Sequence, residues 1–153
     1  MSAPTVTRLV EADWRAFATL RLRALTDTLG TDDRQYHEEL AFTAAQWRRR
    51  LRAHAQFALL ADDLVGLIGA QRQSVDVVYL YSLWLEPAVR GRGLGHQLVS
   101  AAVDWARTQG ARVVTLRVDS GNAAARGIYE RLGFGVVEGP SKAHEVTMSL
   151  SVG

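Results

Sequence analysis

The run Val77–Leu85, VVYLYSLWL, is apolar on both sides of an alternating pattern: Val77, Tyr79, Tyr81, Leu83 and Leu85 on one, Val78, Leu80 and Trp84 on the other. A strand with two apolar faces needs cover on both, so it belongs inside a sheet that carries helices on its faces. Strand signals lead into it without an intervening helix. FALLAD and LVGLIGAQ flank the turn at Asp62 and Asp63, and RQS separates the second from VDVVYLYSLWL.

The rest of the chain supplies the cover. Thr5–Val10 reads as a short strand, and Glu11–Thr28 as a helix whose Trp14, Phe17, Leu20 and Leu25 share a broad apolar face. GTDDRQYHEEL breaks that pattern with polar and acidic residues, before a second helix from the N-cap candidate Thr43 to Arg52. Gly93–Gln109 reads as a third helix, with Leu94, Leu98, Ala101, Ala102 and Trp105 on one side and Gly110 placed to end it. RVVTLRV is a strand, NAAARGIYERLG a short helix closed by Gly133, and FGVVEG and HEVTMSLSV are final strands. The expectation is an α/β fold: a mixed, mostly antiparallel sheet of about seven strands flanked by about four helices, in one domain over residues 1–153.

Composition narrows the function classes. There is no cysteine, so neither disulfides nor thiolate metal sites are available. The four histidines show no metal-ligand spacing, and no metal is expected. Lys plus Arg is 18 against 16 acidic residues, a net charge of +2 without a concentrated stripe, which argues against nucleic acid. The one basic cluster, Trp47–Arg52, reads as a solvated helix face. No run approaches the ~20 apolar residues of a membrane span, and the N-terminus lacks a signal-peptide pattern, so a cytoplasmic protein without membrane contact is expected, as monomer or homodimer.

Between the central strand and the third helix, Arg90–Gly95 packs three glycines and two arginines into six positions. The first N–H groups of a helix lack partners within it, and that end carries partial positive charge. Glycines let a ligand approach the backbone closely, and Arg90 and Arg92 add charge beside it. This is an anion site suited to a phosphate or pyrophosphate. The spacing GxGxG is neither the dinucleotide fingerprint nor a P-loop, so a pyrophosphate here would rest on main-chain amides and arginine without a metal.

A second segment adds a second motif. LRVDSGNAAARGIYERLGF, Leu116–Phe134, together with Arg90-x-x-Gly93-x-Gly95, closely resembles the GNAT family of N-acetyltransferases, here through Asn122, Ala125, Tyr129, Gly133 and Phe134. The element order also matches, so the likeness covers essentially the whole chain. It implies acetyl-CoA as cofactor, with its pyrophosphate on the amides of Gly91, Arg92, Gly93, Leu94, Gly95 and His96. The resemblance also implies that the pantetheine arm lies along Leu83, Trp84 and Leu85, that Asn122 contacts the cofactor, and that Tyr129 faces the thioester sulfur. Near Leu85 a main-chain N–H would polarise the thioester carbonyl, and the central strand would carry a bulge and splay from its neighbour. Asn122 and Tyr129 stand seven residues apart, close to one helix face and about 10 Å along the axis.

Amine acetylation raises two proton problems. An alkylamine of pKa about 10.4 is almost wholly protonated at pH 7, which withholds about 4–5 kcal/mol of reactive form. A thiolate leaving group has a pKa of about 8.5 against about 10 for tyrosine, so Tyr129 is expected first to donate a hydrogen bond rather than transfer its proton outright. The positions where relatives of this family carry an acidic base hold Tyr79 and Arg117 instead. Water, Tyr81, Ser82 or an acid of the DDRQYHEE segment remain as candidates, Glu86 reading as a loop residue. For the acceptor, Asp32, Asp33, Tyr36, Glu38 and Glu39 offer carboxylates and a ring that suit a cationic amine, with Tyr81 and the segment GPSKAHE beside them. Acceptors consistent with the residues are a small-molecule amine, or a protein N-terminus or lysine; a non-catalytic acyl-CoA-binding module is the alternative of another class.

Overall fold

The computed structural model describes residues 3–139 and 142–153. Seven strands form one sheet in the order β1-β2-β3-β4-β5-β7-β6, where β1 is Thr5–Arg8, β2 Ala55–Leu60, β3 Leu64–Arg72, β4 Val77–Leu85, β5 Val113–Asp119, β6 Gly135–Val137 and β7 Glu145–Ser151. All neighbours are antiparallel except β4 and β5, which the crossover through a helix makes parallel.

Two hydrophobic cores lie on opposite faces of this sheet. α4 (Leu94–Thr108) and α5 (Ala123–Arg131) cover one face, where Leu98, Val99 and Ala102 meet Val78, Leu80, Val114 and Leu116. α1 (Trp14–Leu29) and α3 (Ala44–Ala53) cover the other, where Phe17, Leu20, Trp47 and Leu51 meet Ala58, Leu67 and Trp84. β4 contributes to both cores, but not by the faces expected: Val78 and Leu80 lie in the first and Trp84, expected beside them, lies in the second. Thr43 caps α3 as expected, its hydroxyl accepting from the Gln46 N–H while the Gln46 side chain accepts from the Thr43 N–H.

Among the described residues five α-helices form, where about four were expected. The polar segment expected to interrupt the helices contains α2, Arg34–Leu40. The Asp33 carboxylate caps it by accepting from the Gln35 N–H at 2.7 Å, and Arg34 pairs with Glu38 one turn on. Its buried residue is Glu39, not an apolar side chain, so no hydrophobic period marks it. The arginine cluster of α3 is also only partly solvated: Arg48, Arg49 and Arg52 are exposed, but Arg50 turns inward to Glu39 at 2.6 Å.

The bulge in β4 positions the site. Leu67 pairs with Trp84 and Gly69 with Tyr81, so Ser82 and Leu83 together oppose Ile68 alone. Ser82 takes φ +59, a left-handed conformation unusual for a residue with a Cβ. The extra residue reverses the alternation: Leu80 packs against α4, while Trp84, four residues on, packs among α1 and α3.

Candidate active site

β4 and β5 pair over only four rungs, from Val77–Val113 to Leu80–Leu116. Both strands continue, β4 to Leu85 and β5 to Asp119, without pairing further. The sheet therefore opens in its middle. The Glu86 N–H donates to the Val65 carbonyl on β3. Since successive N–H groups of a strand point to opposite sides, the Leu85 N–H, and by the same alternation that of Leu83, point into the opening.

At the end of this cleft lies the glycine loop. Pro87–Val89 forms one turn of 3-10 helix, and α4 begins at Leu94. Gly91 and Gly93 adopt φ +79 and +78, and Gly93 is the N-cap of α4 with no side chain on the helix's first amides. The space a Cβ would take at either glycine is open. These are the features of an anion cradle. A cavity of about 730 Å³ runs beside it, lined by Leu85 and Gly91 through Gln97 and, from α5, by Ala124, Ile128 and Arg131. Gly95 is buried within it, and a Cβ there would meet Ile128 at 2.8 Å and Leu85 at 3.4 Å.

The two loop arginines part company. Arg92 is exposed beside the cradle. Arg90 turns back, donating from Nε to the Leu85 carbonyl at 3.0 Å and from Nη2 to Asp27 of α1 at 3.0 Å. Asp27 also accepts from Trp84 Nε1, at 2.9 Å, and the donors of Trp84 and Arg90 hold its carboxyl below the usual range. The Trp84 ring is thus fixed on the α1 side of β4, leaving the Leu83 and Leu85 main chain to face the cleft.

Asn122 is the N-cap of α5, its Oδ1 accepting from the Ala125 N–H at 3.1 Å. Tyr129 stands two turns along that helix, 6% exposed, edge-on to Phe134 with ring centres 5.8 Å apart. Burial, reinforced by the neighbouring Tyr79, pushes its phenol up to about 12. Tyr129 is therefore a neutral hydrogen-bond donor throughout the physiological range.

The acidic residues expected to meet an amine are divided among different surroundings. Glu39 is 3% exposed, and its oxygens accept from Arg21, Arg50 and Gln35. Burial raises its carboxyl, but these partners overcome burial and leave it lowered. Asp33 caps α2, and Glu38 pairs with Arg34 on the exposed side of the helix. Tyr36 instead lines a separate cavity of about 430 Å³ with Asp27, Trp84, Glu86 and Arg23. Tyr81 lies flat over Gly69, where a Cβ would be 2.4 Å from its ring, and its hydroxyl is held by Gln56 at 2.8 Å and His54 at 2.5 Å. Its phenol is turned towards β2 and away from the opening. Of the segment Gly139–Glu145 expected near the acceptor, Pro140 and Ser141 lie outside the described residues.

Arg21, His54, Gln56 and Arg131 were not legible as site residues. Only Arg131 carried a signal: Ala124, Ile128 and Arg131 recur at helical spacing on the face that lines the cleft.

The comparisons agree with this architecture. The model of the Acetyltransferase (GNAT) family matches residues 14–134, and the chain belongs to that family. Over 77 residues, half of this chain, it is 40% identical to mycothiol acetyltransferase of Corynebacterium glutamicum, but the match spans only 26% of that protein. A 54-residue match at 44% identity, 35% of this chain, spans 31% of the L-methionine sulfoximine/L-methionine sulfone acetyltransferase of Pseudomonas aeruginosa. A [ribosomal protein bS18]-alanine N-acetyltransferase of Salmonella typhimurium is 30% identical over 107 residues, which cover 59% of this chain and 72% of that protein. Among solved structures, the PaiA N-acetyltransferase of Thermoplasma acidophilum in complex with coenzyme A has the same fold, with a TM-score of 0.79 at 17% identity over 99% of this chain and 100% of that one.

Proposed function

We propose that this chain is an acetyl-CoA-dependent N-acetyltransferase that passes an acetyl group directly to the primary amine of a small molecule. The observation that carries this reading is the cleft itself: a sheet opened after four rungs, with outward main-chain donors at Leu83 and Leu85, ending on a loop with open space over Gly91 and Gly93. An elongated ligand with a peptide-like arm and a diphosphate fits these donors. The coenzyme complexes of the Thermoplasma protein and of a Salmonella putative acetyltransferase, whose TM-score is 0.73 at 22% identity over 98% of this chain and 94% of that one, support that choice.

Acetyl-CoA, when bound, supplies the acetyl group as an activated thioester. The main-chain amides from Gly91 to His96 bind its diphosphate, and the Leu83 and Leu85 main chain orients its arm as an added strand would. The Leu85 N–H polarises the carbonyl. Tyr129 keeps its proton and offers it as a hydrogen bond to the sulfur. Full transfer to a thiolate of pKa about 8.5 lies roughly 3–4 units uphill of a phenol at about 12, so donation in place is the role its burial favours. Asn122 serves through the start of α5, which carries Tyr129.

The family's base positions hold Tyr79 on β4 and Arg117 on β5, and the carboxylate that ends β5, Asp119, accepts from the Gly121 N–H at 2.8 Å. Arg117, the first β5 residue past the last rung, lies exposed with its guanidinium 5.9 Å from the centre of the Tyr79 ring. A fixed positive charge there disfavours the ammonium form of an incoming amine and so supplies more of the nucleophile without accepting a proton. Water is then a sufficient final acceptor.

Two open pockets, of about 430 and 230 Å³, lie where α1 meets β4, and the L-methionine sulfoximine/L-methionine sulfone acetyltransferase relative favours a small acceptor. The bS18-alanine relative favours a protein N-terminus as the second reading. A panel of small amines and peptides, scored by release of free CoA thiol, tests both. Thiol release with small amines supports the first reading and release only with peptides the second. Binding of CoA with no release across the panel would leave only an acyl-CoA-binding module.

A further inference from the structure

The Ser82 bulge is what turns the Leu83 and Leu85 main chain towards the opening and Trp84 away from it, yet the sequence places a serine where φ +59 favours glycine. Something outside the strand must hold that conformation. Arg21, on α1, is 8% exposed and donates from Nη1 to Ser82 Oγ at 2.9 Å. The other side of its guanidinium is fixed by Glu39 of α2, which accepts from Nε at 3.0 Å and Nη2 at 3.2 Å. Glu39 in turn accepts from Gln35 at 2.9 Å and from Arg50 of α3 at 2.6 Å. Three helices thus converge through one carboxylate on one arginine; Glu39 takes two of the five N–H groups of that rigid fork, and one of the remaining three, on Nη1, meets the serine hydroxyl.

We propose that Arg21, locked by Glu39, is a positioning residue of the transfer site: it holds Ser82 in its left-handed conformation and so keeps the Leu83 and Leu85 donors aimed into the cleft. This rests on the acetyl-CoA reading above for its consequence, but not for its geometry. Arg21 acts through the bulge and touches neither cofactor nor reacting atoms.

Ser82→Ala and Ser82→Gly separate this role from others. Alanine removes the oxygen Arg21 holds and keeps the Cβ that resists φ +59; glycine removes the oxygen together with the resistance. Acetyl-CoA affinity is measured by calorimetry without acceptor, and hydrogen exchange is followed at the Leu83 and Leu85 amides. Loss of a hydrogen bond from a charged donor predicts about tenfold weaker binding and faster exchange in Ser82→Ala. Ser82→Gly should stay within about threefold of the parent, since glycine adopts the bulge unaided. Arg21→Lys, which keeps the charge and loses the fork, should resemble Ser82→Ala if it folds; the serine pair decides the matter if it does not. Equal losses in alanine and glycine would show the hydroxyl acting on a ligand directly, and no loss in alanine would show the bulge holding itself; either overturns the proposal. If the parent protein binds acetyl-CoA but acetylates nothing, the functional reading fails while these comparisons still stand.

Discussion

Asp27 on α1 and Arg90 on the glycine loop are joined at 3.0 Å, and Arg90 reaches the Leu85 carbonyl with its other edge. A motif arginine expected to meet phosphate instead ties the loop to the central strand and to the helix on the far side of the sheet. Both side chains are about half exposed, so the pair should matter little to stability. Asp27→Asn should raise the KM for acetyl-CoA several-fold with Tm almost unchanged, because the loop loses an anchor rather than the protein a core contact. Steady-state kinetics beside a thermal melt checks this; a fall in Tm without a change in KM would assign the pair to folding.

Tyr129→Phe should lower kcat by one to two orders of magnitude, as loss of a hydrogen bond worth about 1.5–3 kcal/mol to a developing charge predicts, while acetyl-CoA affinity is kept. The raised phenol also makes a statement about alkaline pH. An unfolded tyrosine loses its proton near pH 10, the folded one near 12, so between those values the unfolded state binds fewer protons and stability falls as pH rises. The loss from this one residue is on the order of 2–3 kcal/mol by pH 12. Tyr129→Phe removes it, which denaturant unfolding at pH 8 and pH 11 will show as a smaller difference than in the parent.

Arg117→Gln should shift the acid limb of kcat, which reports groups in the bound complex, to higher pH. Without the neighbouring cation the bound amine holds its proton more strongly, and a higher pH is needed to free the same fraction. A pH profile that keeps its acid limb in place would remove Arg117 from any part in amine deprotonation.

Glu39→Gln should cost stability before anything else. It leaves Arg21 and Arg50 buried or half-buried without their shared anion, a loss of about 3–5 kcal/mol by analogy with broken buried pairs. The parent begins to lose stability as pH falls through the ordinary carboxylate range, because the unfolded Glu39 takes up its proton before the folded one, held lower by Arg21 and Arg50, does. Denaturant midpoints at pH 7 and pH 4 measure both.

The central strand, the glycine loop and the α5 motif were legible because each is local: alternation in VVYLYSLWL, clustered glycines before an apolar helix, and Asn122 and Tyr129 two turns apart. α2 was not, since its seven residues bury a carboxylate and derive their helix from Asp33 and the Arg34–Glu38 pair. The bulge in β4 was expected from the family resemblance, but nothing marked position 82 as its site, because serine is not the residue that φ +59 announces. The surroundings of the acidic segment were hidden for a related reason. Asp33, Glu38 and Glu39 look alike as letters, and only their partners from α1 and α3 show that they do different work.

Where β4 leaves β5, the middle of the sheet presents what is normally found at its rim: main-chain donors with no neighbouring strand. Such rims invite other chains to pair with them. A protein without coenzyme should therefore self-associate more readily than one saturated with it, and light scattering during gentle heating, with and without the coenzyme, would register the exposed edge as a tendency to clump.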